Sequence, residues 1–163
     1  MAAAMTEPLR IWIRASHHPA FRVGGWAWVR AAGAETSGQA GGARNVTAGR
    51  TSLAGLAAAL KDLPAGPVAL DLADPTLARA VRTIAAGQPF AEDQAPGEDL
   101  DLWAQLATAL KGRAVTLGAS PPSPGGPAAF AQAWADLARD KAKAAGPFAA
   151  AIPKPNLAKL KLG

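Results

Sequence analysis

Along this chain the spacing of apolar residues switches between two and about four, which confines it to a fold mixing strands with helices. Residues 8–16 alternate as a strand does, with Ile11 and Ile13 on one face. Residues 24–31 predict a second strand. Residues 34–43 read as a third, weakened by Gly38, Gly41 and Gly42. Leu53, Leu56, Ala57 and Leu60 then recur at helical spacing, with Thr47 or Thr51 available as a cap. Pro64, Gly66 and Pro67 break the chain before Val68, Leu70 and Leu72 alternate as a fourth strand. Asp74-Pro75 is a helix start, Asp at the cap and Pro at the first turn, and Leu77, Val81 and Ile84 form the stripe behind it. A polar linker fills 87–100. Asp101 opens a third helix carrying Trp103, Leu106 and Leu110. Ala114 to Gly118 predict a short fifth strand, and Pro121, Pro122, Pro124 and Pro127 a stiff loop. Phe130, Trp134 and Leu137 stand at i, i+4 and i+7 and predict the buried stripe of a last helix. No internal repeat occurs.

A chain of 163 residues predicts one domain that buries roughly two thirds of its unfolded surface. Its apolar share is rich in Ala, so the core is expected to be thin, anchored by Trp12, Trp26, Trp28, Trp103 and Trp134. With no Cys there is neither a disulfide nor a thiolate site. No stretch approaches the roughly 20 apolar residues that cross a bilayer. The start lacks a basic-then-apolar signal pattern, and a cytoplasmic protein without membrane contact is expected.

The net charge of +5 is a property of one end. Of 17 basic residues, five (Lys141, Lys143, Lys154, Lys159 and Lys161) follow Asp140, the last of the 12 acids. The remaining 12 bases balance those acids. Arg10, Arg14, Arg22 and Arg30 lie on or between the first two strands, whereas Glu92, Asp93, Glu98, Asp99 and Asp101 crowd the 87–101 region. A strong nucleic-acid binder needs a concentrated basic face, and this one is modest.

Ser16 and Gly24-Gly25-Trp26, at their separation, resemble the opening of the ribonuclease H family, whose first strand ends Thr-Asp-Gly-Ser and whose second begins at a Gly-Gly-aromatic step. Further matches follow in order. Arg50, Leu53 and Ala57-Ala58 resemble the family's Arg-Met-Glu-Leu-Met-Ala-Ala helix start. Asp74 falls at its strand-end Asp, Asp101-Leu102-Trp103 at its Asp-Leu-Trp, and Leu137-Ala138-Arg139 at the Leu-Ala-Arg of its last helix. The resemblance covers roughly 8–145. It implies an α/β, ribonuclease H-like fold with a mixed five-stranded sheet and helices on both faces. Residues 1–7 are then an N-terminal extension and 146–163 a basic Pro/Lys/Leu tail.

Family members hold two divalent cations with four carboxylates and cleave the RNA strand of an RNA–DNA hybrid. By the same resemblance those four positions are Arg14, Ser52, Asp74 and Ala135, so three are replaced. Asp136 lies one place past the fourth, rotated about 100° on a helix. The family's mobile His has no counterpart in 117–128, and its hybrid-binding Asn pair falls on Ala48 and Gly49. Arg is always charged and repels a cation. The expectation is a chain without catalysis, metal or other cofactor. Asp74 reads first as a helix cap, and second as a partner for Arg14.

The function expected is a catalytically inactive, nucleic-acid-binding or accessory role. Arg22, Arg50, Lys154, Lys159 and Lys161 are the candidate contacts. Two alternatives stay open: a protein-interaction module working through the tail, and residual metal-dependent hydrolysis of RNA–DNA hybrids. His17 and His18 read as a solvated loop rather than a metal pair, since neighbours in an extended loop point apart. Ser16, Ser52 and Ser120 lack a nearby His for a triad. The Trp residues read as core before base-stacking platforms. For the tail three readings compete: a disordered end, an electrostatic arm, or a segment whose Lys/Leu alternation docks on a partner in extended form.

Overall fold

The computed structural model describes residues 7–162, and in it the alternating segments become strands and the four-spaced segments helices. Three long strands open the chain: β1 (Leu9–His18), β2 (Val23–Ala32) and β3 (Glu35–Arg44). There follow α1 (Ala48–Leu60), β4 (Val68–Leu72), α2 (Pro75–Ala85), a single 3-10 turn (Glu92–Gln94) and α3 (Leu100–Leu110). The last elements are β5 (Val115–Gly118), α4 (Pro127–Ala145), β6 (Phe148–Ala151) and the one-turn α5 (Lys154–Leu157). The sheet order is β5-β4-β1-β2-β3-β6. β1, β2 and β3 form an antiparallel meander. β4 lies parallel to β1, and β5 parallel to β4. Parallel neighbours need crossovers, which α1 and then α2 with α3 supply.

The two faces of the sheet are covered differently. Ile11 and Ile13 of β1, Trp26 and Trp28 of β2, and Leu70 and Leu72 of β4 face α1, α2 and α3. There they meet Leu53, Leu56, Leu77, Val81, Leu106 and Leu110 in one large apolar core. On the other face Ala27, Val29 and Ala40 meet Ala131, Ala135 and Ala138 of α4. This second layer is thin because α4 rests almost on the backbone. A Cβ on Gly25 would overlap the α4 main chain at Ala135 and Arg139, and one on Gly42 would stand 2.8 Å from Ala142 Cβ. Gly24 lies under Thr51 of α1 on the opposite side. The Gly-Gly step is therefore where β2 is pressed by a helix from each face.

That packing corrects two expectations. The buried stripe of α4 is Ala128, Ala131, Ala135, Ala138 and Ala142. Phe130 and Trp134 are only half buried, and Leu137 is 59% exposed. Where helix and sheet backbones touch, large side chains cannot fit between them and are turned to the flank. The glycines that weaken the third strand in the sequence give its neighbours room: Gly42 lies against α4, Gly41 against Trp26 and Phe148, and Gly38 against Ile152 and Leu157.

The sheet also has six strands, not five. The described part of the expected 146–163 tail, residues 146–162, is not free: Phe148–Ala151 pairs antiparallel with β3, and Ile152 and Leu157 are buried against the α4 layer. The Leu residues dock on the chain's own fold. Of the expected extension 1–7, all but Glu7 lies outside the described residues. The third helix begins at Leu100 after Asp99, which sits in the left-handed region at φ 58°. No described helix is long and apolar enough to cross a membrane.

Candidate functional site

The middle of β1, the carboxyl end of β4 and the N-terminal part of α1 converge on a cleft of about 230 Å³. Arg14, Ser52 and Asp74, the residues the resemblance set at three of the family's metal positions, all line it, together with Gln132 of α4. Ala135 does not. It lies wholly buried under β2, one helical turn further along, so Gln132 is the polar group α4 offers here. Gln132 donates to the Ala15 carbonyl at 3.2 Å and to Asp136 at 3.3 Å.

Arg14 is buried, its side chain 5% exposed, and its partner is Asp71 rather than Asp74. Nη2 donates to Asp71 Oδ1 at 2.5 Å and to the Ser120 carbonyl at 3.2 Å. Nη1 donates to the carbonyls of Ile13 and Asp71. The other Asp71 oxygen accepts from both the amide and the hydroxyl of Ser120. A buried ion pair persists only when most of its remaining donors and acceptors are satisfied, and here both Arg14 Nη atoms and both Asp71 carboxylate oxygens are engaged. The sequence carried a signal for it. Val68, Leu70 and Leu72 take one face of β4, so the Asp between them had to face the other. That is the face Arg14 shares, with β1 and β4 in parallel register.

Asp74 is a cap. Its Oδ1 accepts from the amides of Thr76 at 2.9 Å and Leu77 at 3.4 Å, at the start of α2. The cleft thus holds one carboxylate, already engaged, and one permanent cation. Two divalent ions need several oxygen donors apiece, and this lining does not fit them. Among the described residues no three His, Cys, Asp or Glu gather closely enough to share an ion.

The other candidates are scattered. His17 and His18 belong to the end of β1, not to a loop, and they do point apart. His17 Nε2 donates to the Val46 carbonyl at 2.7 Å, and His18 packs edge-on to Phe21. Ser16 accepts from Arg139 at 2.9 Å, and Ser120 serves Asp71, so no described hydroxyl of the three has a His partner. Arg50 is held by Asp99 and Asp101, each at 3.0 Å. The Arg50 guanidinium, hydrogen-bonded to the Asp101 carboxylate, holds that acid below its ordinary value, and the two acids raise Arg50 in turn. Partial burial instead lowers Arg30, which lies over the Trp28 ring with one donor bonded to the Ala59 carbonyl.

Of the expected nucleic-acid contacts, Arg22 and Arg50 stand at the cleft's end of the sheet; Arg50 is engaged by Asp99 and Asp101, whereas Arg22 is exposed in the β1–β2 turn at φ 52°. Lys154, Lys159 and Lys161 follow β6 to the opposite end, where Lys154 lies among residues that flank the β2–β3 turn and Lys161 donates its amide to Gly125. Sequence reasoning did not single out the cations that accompany Arg22. Lys143 lies 3.7 Å from the centre of the exposed Phe21 ring, and Arg44 bonds the last carbonyls of α4 at Ala142 and Lys143. In the sequence Lys143 stands out only as part of the terminal charge.

No family model and no curated protein matches the sequence. Solved structures do. A foamy viral protease–reverse transcriptase in complex with an RNA/DNA hybrid superposes with a TM-score of 0.64 at 17% identity, over 85% of this chain. This chain spans only 21% of that one. A foamy viral protease–reverse transcriptase in complex with dsDNA gives a TM-score of 0.59 at 16% identity, covering 82% of this chain and 94% of that chain. At such identities the likeness is one of fold. Together with the mixed sheet and its helices, it gives this chain a ribonuclease H-like fold.

Proposed function

We propose that this ribonuclease H-like chain does not hydrolyse RNA–DNA hybrids and instead binds nucleic acid through the end of the sheet that carries Arg22, Arg44 and Lys143. The observation that carries the first half is the closed Arg14–Asp71–Ser120 network, which occupies the place where a metal-dependent nuclease needs free carboxylates. Three exposed cations and an exposed aromatic ring at one end support the second half, since phosphates are bound by charge and bases by stacking. The solved complexes of fold neighbours with RNA/DNA hybrid and dsDNA favour a nucleic-acid partner as well. The tail contributes less than its charge suggests, because its lysines stand at the far end. A cytoplasmic setting belongs to the same proposal.

The test has two parts. Incubation with hybrid and either magnesium or manganese should give no cleavage, and turnover abolished by Asp74→Asn would overturn the inactive reading. Binding of a labelled hybrid should weaken as salt rises, with a slope of about −2 to −3 for three phosphate contacts. Removing Arg22, Arg44 and Lys143 together should flatten that slope, while removing Lys154, Lys159 and Lys161 should leave most of it. No binding at low salt would dispose of the nucleic-acid reading.

A further inference from the structure

A second, larger cavity of about 470 Å³ opens beside the cleft, between α1, α2 and the 87–99 linker. Its size lies in the range of ligand-binding cavities. Its apolar side includes Leu53, Leu77, Phe90 and Trp103, the last two rings meeting edge to face at 5.9 Å. The polar lining is lopsided, with the carboxylates of Asp74, Asp93, Glu98 and Asp99 set against the single guanidinium of Arg79. Of these acids Asp99 is neutralised by Arg50, and Asp74 uses Oδ1 to cap α2. Asp93 and Glu98 are exposed, with no ion pair among the described residues. An anionic rim over an aromatic wall repels phosphate and attracts a cation with a flat or apolar body. A hard divalent ion does not suit it, since no described acids cluster as ligands.

We propose that this cavity takes an arginine side chain presented by a partner polypeptide. The delocalised guanidinium would lie against Phe90 or Trp103 and its donors would reach the rim carboxylates, a combination that a compact, strongly hydrated ammonium matches less well. The chain as a whole carries a net charge of +5, so the selection of a cation here is local to this cavity. The site is independent of the nucleic-acid reading and lies apart from the cations that support it.

The experiment is an NMR titration of the full chain, labelled with nitrogen-15, with the acetylated and amidated tripeptide Gly-Arg-Gly as probe. The same peptide with citrulline replacing arginine keeps the shape and removes the charge. The arginine peptide should shift the Trp103 indole N–H saturably, leaving the other four indoles in place. The citrulline peptide should bind about tenfold more weakly. The Asp93→Asn and Glu98→Gln double variant, altered only at exposed positions, should lose about fivefold in affinity. An unmoved Trp103 at millimolar peptide, equal titration by citrulline, or unchanged affinity in the double variant would each overturn the proposal.

Discussion

The two faces of the sheet bury their residues by opposite means. The face toward α1, α2 and α3 fills space with Ile, Leu and Trp side chains, while the face toward α4 removes space, setting alanines on glycines until the backbones nearly touch. The first solution tolerates some change of shape, because neighbouring side chains can repack. The second tolerates almost none, because its contacts are main chain and cannot turn aside. Beyond the edge of α4 the same thin face is closed by the Arg14–Asp71–Ser120 network instead of by apolar packing. One sheet thus carries a volume-filled side and a contact-filled side, and the site lies at the margin of the latter.

The difference can be broken most severely at Gly25. Gly25→Val should prevent stable folding, because helix α4 would have to lift from β2, and loss of a cooperative thermal transition is the reading to look for. Next comes the network. Arg14→Met should cost about 3 kcal/mol in chemical denaturation by leaving the half-buried Asp71 carboxylate without its cation, and adding Asp71→Leu should recover a large part of it. If the double variant is no better than the single one, the pair is not an isolated unit.

On the volume-filled side Leu106→Ala should cost about 2–5 kcal/mol, since it empties a fully buried position. Ala138→Gly on the contact-filled side should cost only about 1 kcal/mol, chiefly through helix propensity. Equal losses at these two sites would erase the contrast drawn here. The smallest effect belongs to Arg50, on the rim of the volume-filled side. Its guanidinium depresses the folded-state pKa of Asp101, so the interaction stabilises above the ordinary carboxylate range and is lost as pH falls through that lowered value. Arg50→Ala should therefore lower the denaturant midpoint slightly at pH 7, and that difference should vanish in acid.

How much was legible differs between the fold and the site. The strands, the helix at Asp74-Pro75 and the order of elements followed from period and capping, which are local. Ser16 and the Gly-Gly-Trp step carried the resemblance to a ribonuclease H fold, and the superpositions support that fold. Arg14, Ser52 and Asp74 were singled out only through the resemblance, and the structure lines one cleft with all three. The identity of Arg14's partner was not legible. Asp71 and Asp74 are three residues apart, and only the strand register decides which one faces a guanidinium on β1. The docking of the tail escaped for a related reason: FAAA has too little pattern to announce a strand, and it becomes one because β3 offers an unpaired edge.

By itself the sequence determined what its short-range chemistry could express: alternating and four-spaced stripes, an Asp that must cap, and a permanent cation where an anion was expected. The tertiary structure alone decided that alanine and not tryptophan lies under α4, that Arg14 meets Asp71, and that Lys154, Lys159 and Lys161 stand at the end away from the cleft. The reason is distance along the chain. A side chain's period is fixed by its nearest neighbours, but its partner is fixed by which backbones can approach closely enough to bring two remote residues together.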